Sequence, residues 1–226
     1  MKTLALNGSI SAENQRFLTY MKDVYEVSTA CGTRTFIWGG FTLDILEGRF
    51  LREHKDLDGF TLNMLDMLDD LMAMYAARGY ATEYRDDLDM LNIRKDGLHA
   101  TFNRLEIDGE TAMWRHIGNE GTVYFPVQWL ANVPGSFYEV PVYIAGIKFD
   151  YILKTNIKMF NPEYTLREQD YEAIAHLERF MARDNIDPED FLAQAWSYNP
   201  YWVKRGYPEY ALPTVARPLQ PIQAKI

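Results

Sequence analysis

The hydrophobic period of this chain changes twice, and that constrains its fold more than any other feature. Up to about Ala77 apolar residues recur at helical spacing, broken by two short apolar runs; from Tyr80 the period drops to two; after Pro162 helical spacing returns. Asn14 to Val27 carries Phe17, Leu18, Met21, Val24 and Tyr25 as a helical stripe, with Ser11 placed to cap it. Thr35 to Trp38 reads as a strand running into Gly39-Gly40. Phe41 to Leu46 reads as a helix stopped by Gly48, and Leu57 to Leu62 as a second strand. A third helix is predicted from Asn63, as its cap, through Ala77, with Leu65, Leu68, Leu71, Met72 and Tyr75 inward.

Tyr80–Tyr84, Met90–Arg94, His99–Ile107, Met113–Ile117 and Val123–Phe125 are predicted strands, and Lys95-Asp96-Gly97 is the clearest hairpin turn. Val140–Phe149 is predicted to be extended and broken by Gly146. Tyr164 to Ala182 is an amphipathic helix with Tyr171, Ile174, Ala175, Leu177 and Met181 inward. Asp187-Pro188-Glu189-Asp190 predicts another helix running to about Trp196. Four prolines beyond Pro200 argue against regular structure in the tail. Helix, strand, helix, strand, helix, then strands, then helices is an α+β order. It divides the chain into a core over residues 1–110 and a β-then-helical remainder over 111–226, which a single continuous domain also accommodates.

An apolar fraction of 47% and an aromatic fraction of 14% exclude a disordered protein. No run approaches the roughly 18 apolar residues of a spanning helix. The first eight residues begin like a signal peptide but lose their apolar character at Asn7. With Cys31 as the single cysteine, no internal disulfide forms, and cytoplasm is the expected compartment. The net charge of −9, from 32 acidic and 23 basic residues, argues against a nucleic-acid backbone as main partner and suits a cationic small molecule better.

Chemistry concentrates between Trp38 and Asp58. Two glycines between a strand and a helix let backbone approach a bulky anion, and the helix start offers unpaired N–H groups to phosphate oxygens. Asp56 and Asp58, two apart at the mouth of a strand, share one face about 7 Å apart along the chain. Oxygen ligands so spaced suit Mg²⁺ and two-metal phosphoryl chemistry. Singly, a Gly-Gly pair is an ordinary turn and an Asp-x-Asp an ordinary solvated loop. Their conjunction within 20 residues is the signal.

These residues resemble the signature of the polymerase-β-like nucleotidyltransferases, in the branch of the lincosamide and aminoglycoside adenylyltransferases. The matching positions are Gly39, Gly40, Phe41, Leu43, Asp44, Gly48, Arg52, His54, Asp56 and Asp58, about a tenth of the chain. The resemblance implies a short mixed sheet with flanking helices, followed by a β meander and C-terminal helices. It also implies transfer of a nucleoside monophosphate, generally AMP from ATP, to an acceptor hydroxyl. Asp56 and Asp58 would then ligate two Mg²⁺ ions, Gly39 and Gly40 would lie against the triphosphate, and Arg52 and Lys55 would offset its charge. Asp44 would orient the turn or touch a substrate. His54 would support the metal ligands or serve as a hydrogen-bonded structural histidine.

The resemblance further implies a third carboxylate on a neighbouring strand, as metal ligand or base. The matching stretch, His99 to Gly109, places Thr101 there, with His99 and Asn103 on the same face and Glu106 on the opposite one. Three readings stay open: His99 or Glu106 substitutes, the register differs, or the chain binds nucleotide without turnover. A toxin-like transfer to protein or tRNA is a further alternative. Elsewhere, Asp86, Asp87 and Asp89 form an acidic patch suited to a cationic acceptor or simply to solvent. Trp114, Trp129, Phe137 and Tyr138 serve an acceptor cleft or the core. Tyr164 and Asp170 resemble acceptor contacts of the family or an ordinary helix start. His116 and His176 have no partner at zinc spacing.

Overall fold

The computed structural model describes residues 10–116 and 121–217. The segment compared above with a signal peptide, Ile117, and the prolines at 218 and 221 lie outside them.

The N-terminal helix, α1 (Ala12–Ala30), is capped as its sequence predicts, Asn14 N–H donating to Ser11 Oγ. Strand β1 (Thr35–Trp38) passes through Gly39 into α2 (Gly40–Glu47), which Gly48 closes in the left-handed conformation. Strand β2 (Asp56–Leu62) follows. Asn63 does not cap the next helix. Its backbone is left-handed, its side chain makes no capping bond, and a 3-10 turn (Met64–Met67) intervenes before α3 (Leu68–Ala77), which leaves Leu65 exposed. The meander comprises β3 (Ala81–Arg85), β4 (Met90–Lys95), β5 (Leu98–Asp108), β6 (Thr111–His116) and β7 (Gly121–Pro126). Asp96 and Gly97 both take positive φ between β4 and β5, the backbone a two-residue hairpin needs.

Past β7 the structure corrects several expectations. After β8 (Gly135–Phe137), the stretch expected to be extended to Phe149 stops at β9 (Val140–Ile144) and becomes helix α4 (Ile147–Thr155). Gly146 makes the turn at φ 97°, where a Cβ would lie 2.2 Å from the Trp129 carbonyl oxygen. Helix α5 (Glu168–Arg183) buries Ile174, Leu177, Phe180 and Met181, while Tyr171 and Ala175 face solvent. The helix expected from Asp187 is two 3-10 turns leading to β10 (Trp196–Tyr198). The proline-rich tail holds regular structure after all: α6 (Pro200–Val203), a 3-10 turn (Pro208–Ala211) and β11 (Thr214–Val215). Proline is tolerated because it stands at a first-turn position, where no N–H is needed.

The strands join in the order β11-β10-β7-β6-β5-β2-β1-β9-β8, with β4 and β3 branching from β5. The sheet is mixed: β2 runs antiparallel to β1 and parallel to β5, and β1 runs parallel to β9. Alternation gives each face its own core. Phe36, Phe60, Leu105, Trp114 and Phe125 pack with α4 and α5 residues such as Phe149, Ile152 and Leu177. Ile37, Leu57, Leu91, Ile93 and Phe102 pack with Phe17, Met21 and Val24 of α1 and Leu71 and Tyr75 of α3. The polar end of the first face, where β2 begins, stays open between α2, α4 and α5.

Candidate active site

Everything at this site hangs on the reversal between β1 and α2. Gly39 sits at φ 81°, ψ −135°, a conformation that excludes side chains, and a Cβ there would come 3.9 Å from Asp58 Oδ2. A Cβ on Gly40 would fall 2.6 Å from Arg52 Nη2 and 3.1 Å from His54 Cε1. Gly39 therefore permits the turn itself, and Gly40 lets it close against Arg52 and His54.

Asp58 and Asp56 share one face of β2, while Leu57 between them is fully buried in the opposite core. Asp58 lies across from Trp38 on β1 and Thr101 on β5, and Asp56 lies across from His99. Burial, then the charge of Asp56, pushes the Asp58 carboxyl up to about 7; Lys154 offsets this and Asp150 adds to it. A divalent cation would relieve both causes. The donor set suits one: two hard carboxylates facing an open cavity, leaving coordination positions for water and phosphate, as Mg²⁺ sites commonly do. No cluster of three or more His, Cys, Asp or Glu residues with metal-site geometry occurs among the described residues, so no all-protein cage is present.

Asp44 and His54 line the cavity but are spent on each other. His54 Nε2 and Asp44 Oδ2 are 2.6 Å apart, Asp44 Oδ1 accepts from Leu51 N–H at 3.2 Å, and both side chains are buried. The imidazole also stacks on Phe41, ring centroids 3.8 Å apart. The pair binds the loop after α2 to that helix, which places Arg52 and Lys55 at the cavity rim.

The cavity, of about 950 Å³, runs from Trp38, Gly39, Asp56 and Asp58 to Lys154 on α4 and Arg167 and Arg179 near α5. Asp170 organises that far wall. Lys154 Nζ (2.9 Å), Tyr164 Oη (2.8 Å), Arg167 N–H (3.1 Å) and Arg167 Nε (3.0 Å) all donate to its carboxylate. Burial opposes ionisation, but Arg167, Lys154 and Tyr164 outweigh it and hold the Asp170 carboxyl well below the usual range. Tyr164 and Asp170 are thus engaged with each other.

Of the two substitutes named for a third carboxylate, Glu106 stands away from Asp58. It lies five residues beyond Thr101, about 17 Å along β5, pinned between Arg104 and Arg115. Burial raises its carboxyl, but the two arginines outweigh that and lower it. His99 stays on the face of Asp56, and its Nε2 donates to Asn92 Oδ1 at 3.0 Å, an oxygen that also accepts from Thr101 at 3.3 Å. Burial, then Arg94, lowers its pKa, with Asp56 opposing, so the imidazole is neutral at pH 7.

In the acidic patch Asp87 pairs with Arg85, Asp89 is buried and accepts from Tyr84 and Arg104, and Asp86 is exposed. Trp114 lines the cavity; Trp129 and Phe137 are core residues, and Tyr138 stacks on Phe50. His176 lies 3.7 Å from Glu47, and Cys31 is buried beside Met74.

One acid near the site went unread in the sequence. Asp150 on α4, 2% exposed, accepts from Gly39 N–H at 2.6 Å. Burial pushes its carboxyl up to about 7. The Thr42 hydroxyl, the Gly39 amide and Lys154 pull it the other way without outweighing burial. The apolar spacing Phe149, Ile152, Leu153, with Asp150 and Lys154 four apart, was the available sign of a helix here.

Residues 20–177 match the family model described as aminoglycoside-2''-adenylyltransferase. In structure the chain is similar to ANT(2'')-Ia in complex with adenylyl-2''-tobramycin, at 14% identity over 75% of this chain and 92% of that one, with a TM-score of 0.58. It is similar also to the lincosamide antibiotic adenylyltransferase LnuA with lincomycin bound, at 16% identity over 76% and 98%, with a TM-score of 0.54. At these identities the likeness is one of fold. No curated protein matches the chain in sequence. No helix among the described residues is long and apolar enough to cross a membrane.

Proposed function

This chain belongs to the aminoglycoside-2''-adenylyltransferase family, and from that membership we propose that it moves AMP from ATP to a hydroxyl of a small acceptor, an aminoglycoside- or lincosamide-like compound. The observation that carries the reading is the placement of Asp56 and Asp58 on one face of β2, beside the Gly39 turn and inside the large cavity.

In this reaction the acceptor oxygen bonds to the α-phosphorus of ATP, the bond from that phosphorus to the bridging oxygen breaks, and pyrophosphate leaves with the electron pair. The hydroxyl proton passes to a base. Mg²⁺ held by Asp56 and Asp58 would neutralise charge on the triphosphate. Gly39 and Gly40 bring backbone against the phosphates, and Arg52 and Lys55 at the rim attract them. Lys154, held by Asp170, faces the aspartates from the opposite wall. His99, across the ladder from Asp56 and next to the cavity but outside its lining, is the base this reading assigns. Residues beyond about 110, α4 and α5 above all, shape the acceptor side.

A second reading has its own observation. Thr101 occupies the place opposite Asp58 where the resemblance implied an acid, which favours a protein that binds nucleotide without transferring it. Labelled ATP, Mg²⁺ and pools of aminoglycosides, lincosamides, tRNA and protein separate the readings. Label on a small molecule supports the first and label on a macromolecule replaces it with a toxin-like activity. Mg²⁺-dependent ATP binding that labels nothing supports the second.

A further inference from the structure

Asp150 presents a physical problem. A carboxyl 2% exposed has no water to satisfy it, so the polar groups that meet it, the Gly39 amide and the Thr42 hydroxyl, have to. Lys154 on the same helix favours the carboxylate only through its charge, because its ammonium donates to Asp170. The interaction Asp150 does make is with the amide of Gly39 at 2.6 Å, across 111 residues of sequence.

That amide belongs to the residue with the most demanding backbone at the site. Gly39 is the N-cap of α2, its φ and ψ are open only to glycine, and its α-carbon faces Asp58 Oδ2. A glycine in such a turn has many alternatives when nothing holds it. The hydrogen bond from α4 removes them and fixes the direction in which the first-turn amides of α2 point.

We infer that Asp150 is a positioning residue for the donor: by accepting the Gly39 N–H it locks the glycine turn in the conformation that receives the triphosphate beside Asp58. It touches no substrate itself and is absent from the cavity wall. What Gly39 requires is an oxygen acceptor at that point, not a negative charge. This inference rests on the donor-site reading given above.

The test measures Mg²⁺-ATP binding by calorimetry on the full chain, needing no acceptor. Asp150→Leu, branched at the same atom and unable to accept, is expected to weaken binding about tenfold, the equivalent of one lost hydrogen bond. Asp150→Asn, whose Oδ1 still accepts, is expected to stay within about threefold of wild type. A thermal melt of each variant checks folding, and Asp150→Ala, which has no acceptor, replaces the leucine variant if that one does not fold. The inference is overturned if a folded Asp150→Leu protein binds Mg²⁺-ATP like wild type, or if Asp150→Asn is as impaired as Asp150→Leu. A wild-type protein that binds no Mg²⁺-ATP instead overturns the donor-site reading itself, and this inference with it.

Discussion

Asp58 stands opposite Thr101 in the parallel β2–β5 ladder, and the Thr101 hydroxyl donates to Asn92 Oδ1, so no acid stands beside the more enclosed of the two β2 aspartates. The acids of β5, Glu106 and Asp108, fall on the other face by the alternation of the strand. Adding a carboxylate by Thr101→Asp would place a third like charge beside a carboxyl already pushed up to about 7. Without divalent cations the variant is expected to lose about 1 kcal/mol of stability or more, since each pKa unit corresponds to ~1.4 kcal/mol. With Mg²⁺ the loss is expected to shrink or reverse. Melts with chelator and with Mg²⁺ read the difference, and equal behaviour in both would count against a cation at Asp56 and Asp58.

The same aspartate sets a pH dependence. The Asp58 carboxyl is higher in the folded protein than its ordinary value of 3.8, so the folded state binds the proton more tightly than the unfolded chain. Its contribution to stability is complete below about pH 4 and is lost as pH rises towards 7. Asp150, shifted in the same direction by burial, adds to that loss. Metal-free protein is therefore expected to lose part of its denaturant resistance between pH 4 and 7, and Asp58→Asn to flatten the profile. Transfer should fall by at least about 10³-fold in Asp58→Asn. An unchanged pH profile in that variant would show that Asp58 is not the group titrating.

The assignment of a base separates two residues that the sequence left level. His99→Gln is expected to lower kcat by about 10²- to 10³-fold, removing the acidic limb of the pH–rate profile. Glu106→Gln should leave kcat unchanged, because its carboxylate is engaged by Arg104 and Arg115 and lies on the other face of β5. Its stability effect should stay within about 1 kcal/mol, as for a partly exposed ion pair. Loss of transfer in the Glu106 variant with a retained melt would contradict the register drawn here.

Residues 35–62 were legible because their information is local. Gly39-Gly40 after an apolar run, Gly48 after a helical one and Asp-Leu-Asp at a strand mouth each dictate backbone or face by themselves, whereas the place of Thr101 beside Asp58 was implied by the family resemblance. What escaped was set by tertiary context. Val140 to Phe149 carries β-branched residues that suit an extended chain, and only the packing of Phe149, Ile152 and Leu153 against the sheet turns its end into α4. Asp150 therefore could not be placed, since its partner is a backbone amide 111 residues away. Asp187-Pro188 gave a sound helix start, yet Phe191, Leu192 and Ala195 are drawn into the core within one turn, and β10 then pairs with β7. A local start signal does not fix a length.

The Asp44–His54 pair makes a prediction that separates support from substrate contact. Asp44 is 1% exposed, and its two oxygens serve His54 and the Leu51 amide. Asp44→Ala would strand a buried imidazole nitrogen and a backbone N–H together, at a cost of about 2–4 kcal/mol. Asp44→Asn keeps one acceptor for the Leu51 amide and should cost less. The loop from Arg49 to Lys55 carries the two rim cations, so both variants should also weaken Mg²⁺-ATP binding, in proportion to their loss of stability. Urea unfolding and ATP titration of the two variants test this together. If Asp44→Ala unfolds at the wild-type urea midpoint yet fails to bind ATP, the carboxylate meets the nucleotide directly and its role as a brace is wrong.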